Sequence, residues 1–75
     1  MKELIEFIVK SIVNNPNDVV VTEERSEGGV LLKLQVHPDD MGRVIGKQGR
    51  VVQAMRTLLR VVAVKQNTRV ELVVI

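Results

Sequence analysis

Val44-Ile45-Gly46-Lys47-Gln48-Gly49-Arg50 is the stretch from which the rest of the chain can be read. Two glycines bracket two polar residues. The apolar pair Val44 and Ile45 precedes them, and a long amphipathic segment, Arg50 to Gln66, follows. Glycine has no Cβ, so Gly46 and Gly49 can take dihedrals closed to other residues and let another molecule approach the backbone. The first amides of a helix have no partner within it and sit at the positive end of its dipole. A Gly-x-x-Gly turn leading into a helix is therefore suited to hold a phosphate.

Working outward, the 75 residues are expected to form one small domain. A chain of this length buries only roughly 60% of its unfolded surface, so a surface groove is expected rather than a deep pocket. The apolar residues are nearly all aliphatic: Phe7 is the one aromatic, with no Trp or Tyr. The absence of Cys excludes disulfides and thiolate metal sites and fits a reducing cytosol. Lys2, Glu3 and Glu6 interrupt the first apolar residues. No signal peptide or membrane-spanning run is read, and a soluble cytoplasmic protein is expected.

Net charge is only +2, but it is unevenly placed. Residues 1–40 hold four basic and eight acidic side chains. Residues 41–75 hold seven basic ones (Arg43, Lys47, Arg50, Arg56, Arg60, Lys65, Arg69) and one acidic, Glu71. That asymmetry points to an acidic partner such as nucleic acid, against the plainer reading of a solvated basic helix face.

Residues 2–13 read as a helix, with Leu4, Ile5, Ile8, Val9, Ile12 and Val13 at helical spacing. Phe7 borders that stripe and is read as core padding in preference to a small exposed anchor. Asn14-Asn15-Pro16 ends the helix. Asp18 to Glu24 reads as a strand, Ser26 to Gly29 as a turn, and Val30 to His37 as a second, antiparallel strand. Pro38 ends it, and Asp39 or Asp40 is expected to cap a short helix reaching about Ile45. In the helix Arg50–Gln66, Val51, Val52, Met55, Leu58, Leu59 and Val62 share an arc expected to face the sheet. Asn67-Thr68 breaks it before a last strand, Arg69 to Ile75. The order is α-β-β-α-α-β.

The glycine loop with its apolar, basic and helical surroundings resembles the KH (K-homology) RNA-binding domain. The element order resembles the type II, prokaryotic, form. The stretch His37 to Arg50 and the later Met55-Arg56-Thr57-Leu58-Leu59 resemble the small bacterial single-KH proteins of the KhpA type. The resemblance covers the whole chain. It implies an α+β fold in which a three-stranded mixed sheet packs against three helices. It also implies a clamp on about four nucleotides of single-stranded RNA.

In that reading Gly46 and Gly49 touch the sugar-phosphate backbone, Lys47 supplies charge and Gln48 a neutral donor, and Arg43 and Arg50 reach flanking phosphates. Val44, Ile45 and Val52 would form one wall of a base groove, with Leu34 and Val36 of the second strand as the other. The scarcity of aromatics argues against an RRM or a ring-rich OB-fold.

Ala54, Thr57, Val61 and Val64 make a second stripe on the long helix. The spacing fits a helix-on-helix contact, or else a helix buried more deeply than drawn. The resemblance implies a homodimer face there, and pairing with KhpB, a larger KH-containing protein. It further implies RNA-chaperone or post-transcriptional activity linked to cell-envelope growth and cell length. The alternative is a protein-interaction adaptor whose RNA contacts are lost.

No catalytic residue, metal or cofactor is expected. His37 ends a strand without a nucleophile or third partner and is read as a surface residue. Asp39-Asp40 is explained by helix capping rather than metal binding. Gly42 to Lys47 departs from a P-loop, since three residues separate the glycines and Gln48 follows the lysine. A membrane-surface role would need bulky apolar anchors on the basic helix, whose large residues turn inward instead.

Overall fold

A computed structural model describes residues 1–75. Helix α1 spans Lys2–Ile12, strands β1 and β2 span Val20–Ser26 and Gly29–Gln35, and helix α2 spans Met41–Ile45. Helix α3 spans Arg50–Lys65, and strand β3 spans Val70–Val74. Short 3-10 turns at Pro16–Asp18, Pro38–Asp40 and Lys47–Gly49 join them. The fold is α+β in the expected order, with a mixed three-stranded sheet and three helices, consistent with the type II KH arrangement.

Strand β2 is central. It pairs antiparallel with β1, with Val21 opposite Leu34, and parallel with β3, with Leu32 opposite Leu72. Alternation puts Val30, Leu32 and Leu34 on the inner face with Val21 and Leu72. Ile5 and Val9 of α1, Val44 of α2, and Val52, Met55 and Leu59 of α3 close over them. The outer face of the sheet carries Thr22, Lys33 and Glu71. Strand β1 begins two residues later than the sequence implies, because the proline turn Pro16–Asp18 uses up the approach to it. No helix is long and apolar enough to cross a membrane.

Two core assignments are corrected. Phe7 is 73% exposed. At about 100° per residue it lies opposite the Ile5–Val9 pair that docks α1, so the core has no room on its side. Leu58 is 47% exposed, and Ala63 takes a core place not assigned to it. The buried arc of α3 is Val52, Met55, Leu59 and Ala63, and Leu58 lies about a quarter-turn from its centre.

Candidate nucleic-acid interface

Helix α2 is five residues long and cannot persist alone in water, so tertiary anchors decide where the glycine loop sits. Val44 is one anchor, fully enclosed in the core. Met41 and Ile45 pack beside it, and Asp40, at the start of α2, is a polar anchor. Its carboxylate is the one charged group wholly removed from solvent. Asp40 does not cap α2 as expected. Oδ1 accepts the amide of Asn14 at 3.0 Å, and Oδ2 accepts the amide of Asn15 at 2.9 Å and its side-chain Nδ2 at 3.0 Å. Burial pushes this carboxyl up, but the three N–H donors of Asn14 and Asn15 outweigh it. His37 adds a smaller effect, and the group is held below the usual carboxylate range. The side-chain cap here belongs to the preceding 3-10 turn Pro38–Asp40, where His37 Nδ1 accepts the Asp39 amide at 3.1 Å.

The loop itself reverses direction between α2 and α3. The Gly46 amide donates to the Gly42 carbonyl at 2.9 Å, and the Gly49 amide to the Gly46 carbonyl at 3.1 Å. Gly46 has φ +77° and Gly49 has φ +74°, as the sequence implies, and Gln48 between them also turns left-handed at φ +57°. No side chain caps the start of α3. Arg43, Lys47, Gln48 and Arg50 are exposed around this turn, with Arg50 Nη2 3.4 Å from Gln48 Oε1.

Electrostatics separate this region from the rest. Every Lys, Arg or N-terminal ion pair in the molecule lies within residues 1–33: Met1–Glu3, Lys2–Glu6, Lys10–Glu6, Arg25–Glu23 and Lys33–Glu24. None of the seven basic residues from Arg43 to Arg69 meets a carboxylate. The positive field over α2 and α3 is therefore uncompensated from within the chain.

The expected apolar wall is not where the sequence implied. Leu34 and Val44 are fully enclosed, and Val36 and Val52 are also buried, leaving Ile45 as the partly open member of the set. These four residues support the surface from beneath. The reason lies in the packing: Leu34 is on the inner face of the sheet, and α1, α2 and α3 close over that face with Val36, Val44 and Val52 in the same core. Strand β2, moreover, is flanked on both sides and presents no free edge. The edge strand beside α3 is β3. A depression of about 480 Å³ runs between them, lined by Arg56, Leu59, Arg60, Val70, Glu71, Leu72 and Val73.

The bonds of β3 to β2 involve the Arg69 carbonyl and the Ile75 amide. In a parallel ladder the alternate residues Val70, Leu72 and Val74 then turn their backbone groups to the open side. Arg56 already uses one of these: its Nη2 and Nε lie 3.2 and 3.4 Å from the Leu72 carbonyl. The alternating Val70, Leu72 and Val74 were legible as a strand, but nothing in them marks an edge.

The second stripe is exposed. Val61 is 53% and Val64 72% open, and Ala54 and Thr57 are exposed beside them. They lie on the side of α3 opposite its core arc, so deeper burial is excluded for this chain, and Leu58 extends the apolar face.

A sequence model of the KhpA/KhpB KH domain matches residues 2–74. The chain is 51% identical to the RNA-binding protein KhpA of Clostridium perfringens over 93% of each chain. It is 48% identical to the RNA-binding protein KhpA of Listeria monocytogenes over its full length and 99% of that protein. The RNA-binding protein KhpA of Caldanaerobacter subterraneus is 47% identical over 93% of each chain. No solved structure matches. With an unpaired basic face around a Gly-x-x-Gly turn, the expected order of elements and relatives matched nearly end to end, the chain belongs to the KhpA/KhpB KH-domain family.

Proposed function

We propose that residues 1–75 act as one KH unit that binds single-stranded RNA. The observation that carries this reading is the exposed glycine turn set among cations with no carboxylate partner. Gly46 and Gly49 admit the sugar-phosphate backbone, Lys47 and Gln48 contact it, and Arg43 and Arg50 reach neighbouring phosphates. Bases lie beyond the loop along α3, over the partly open Ile45. The name of the relatives, RNA-binding protein KhpA, supports the same ligand. Nothing in this contact reads many bases, so sequence preference is loose.

The unit acts as a homodimer, or as a heterodimer with a KhpB-type protein, through Ala54, Thr57, Val61 and Val64. Exposed aliphatic side chains in a row on a helix support this face. Two linked clamps raise apparent affinity for an RNA long enough to reach both. The role inferred from the family resemblance is RNA-chaperone or post-transcriptional control in the cytoplasm, tied to cell-envelope growth and cell length. No catalytic step, metal or cofactor enters it.

The same exposed stripe favours one rival, an adaptor that pairs proteins and has lost RNA binding. Titration of a random-sequence RNA oligonucleotide with wild type and with the Lys47→Asp, Gln48→Asp double variant separates the two. Binding by wild type and its loss in a folded double variant support the clamp. No binding by a wild type that still self-associates transfers the function to the adaptor.

A further inference from the structure

The Asp40 clasp takes no part in the contacts proposed for RNA, yet it is the most fully satisfied polar group in the molecule. Its carboxylate is 0% exposed and takes three N–H bonds from residues 25 and 26 positions earlier. It stands between two elements. Asn14 and Asn15 form the exit of α1, and Asp40 forms the entry to α2. Asp40 and Val44 lie four residues apart and so face the same way, both enclosed. The glycine turn begins two residues after Val44.

We propose that Asp40 is a positioning residue for the glycine loop. By tying the start of α2 to the end of α1, it fixes the direction in which Gly46 to Gly49 leave the domain. Val44, with Met41 and Ile45 packed beside it, holds α2 by non-directional burial, which leaves its orientation less sharply fixed than hydrogen bonds would. Two oxygens bonded to donors on consecutive backbone amides fix it. Losing the clasp leaves the fold in place while the loop samples several orientations, only one of which accepts RNA. This rests on the RNA-binding reading for its affinity arm, and on the fold alone for its dynamic arm.

The test compares full-length Asp40→Asn, Asn15→Ala and Val30→Ala. Asp40→Asn keeps the shape but turns an NH₂ group toward N–H donors. Asn15→Ala removes one bond of the clasp and leaves both backbone amides in place, so it carries the test where Asp40→Asn fails to fold. Val30→Ala opens the core at the far end of β2 from α2 and lowers stability without touching the clasp. RNA affinity is measured where circular dichroism finds each variant folded. If the loop is competent about one-tenth of the time, apparent Kd rises about tenfold in Asp40→Asn, with a smaller rise in Asn15→Ala and none in Val30→Ala.

In parallel, hydrogen exchange at the Gly46 and Gly49 amides should quicken in the two clasp variants beyond what their global stability accounts for. Clasp variants that bind RNA as wild type does, or loop amides that exchange only in step with global unfolding, overturn the proposal. If wild type itself binds no RNA, the RNA-binding reading fails, and the exchange measurement still decides the clasp.

Discussion

Gly46 stands so close to Val51 that a β-carbon on it would lie 2.5 Å from Val51 Cγ2 and 2.8 Å from the Val51 amide nitrogen. The first turn of α3 is thus folded directly onto the loop that precedes it. Gly46→Ala must displace that turn and hold φ near +77°, and a loss of about 1–3 kcal/mol follows from the strain alone. Gly49→Ala meets only Val52 Cγ1, at 3.9 Å, and should lose roughly 1–2 kcal/mol for its left-handed φ. Gly42 lies within α2 with open space where a Cβ would go, so Gly42→Ala should gain about 0.4–1 kcal/mol. Urea denaturation of the three variants should rank them in that order.

Wild-type binding to RNA should weaken with salt. Three neutralised phosphates, at ~0.7 each for single strands, give a slope of roughly −2 in log K against log salt concentration. Gln48→Asp is compatible with φ +57°, because Asp tolerates the left-handed region. Loss of binding in the Lys47→Asp, Gln48→Asp variant therefore reports charge rather than a broken turn. Fluorescence anisotropy across a salt series, with circular dichroism as a folding control, measures both.

Val61→Asp should yield a folded monomer. Val61 is 53% exposed and opposite the core arc, so the change stays within about 0.5 kcal/mol for the isolated fold. Light scattering after gel filtration checks it, and a variant that remains dimeric removes this stripe from the interface.

Asp40 also makes a prediction about acid. Its folded pKa is depressed, so its contribution is present above the ordinary carboxylate range and is lost as pH falls through the folded value. The stability gap between wild type and Asp40→Asn should be widest near neutral pH and should close in acid. Denaturation series at the two pH extremes measure it, and a gap that widens in acid contradicts the assignment.

Arg56→Ala frees the Leu72 carbonyl and should cost roughly 1 kcal/mol at this partly buried site. Arg60→Ala removes a neighbouring charge that makes no such bond. A stability loss in the first and none in the second would place Arg56 as the stay of the sheet edge. Equal losses would count against it.

Much of the fold was legible because each element carries its own period. Leu32 and Leu34 alternate with Leu31 and Lys33, and the glycines and Pro38 mark the breaks. The loop geometry was legible for the same reason, since positive φ at Gly46 and Gly49 is a local property. Phe7 and Leu58 were misplaced because a stripe read along a helix does not give its width. Only the docking of Ile5–Val9 and of Val52–Met55–Leu59 sets which flank is covered. The Asp40 clasp was invisible, since local capping and a bond 26 residues away use the same side chain.

The sequence by itself determined the order of elements, the left-handed glycine turn and the separation of charge, all of which follow from residues near one another in the chain. Tertiary structure decided what depends on distant neighbours. It made β2 the central strand and β3 the edge, which buried the Leu34 and Val36 side chains and left the Leu72 carbonyl on the open side, where Arg56 bonds it. It set Ala54, Thr57, Val61 and Val64 in solvent by turning the opposite arc of α3 to the sheet. The reason is that backbone dihedrals and periodicity are short-range, whereas burial and free backbone edges exist only once strands have chosen their neighbours.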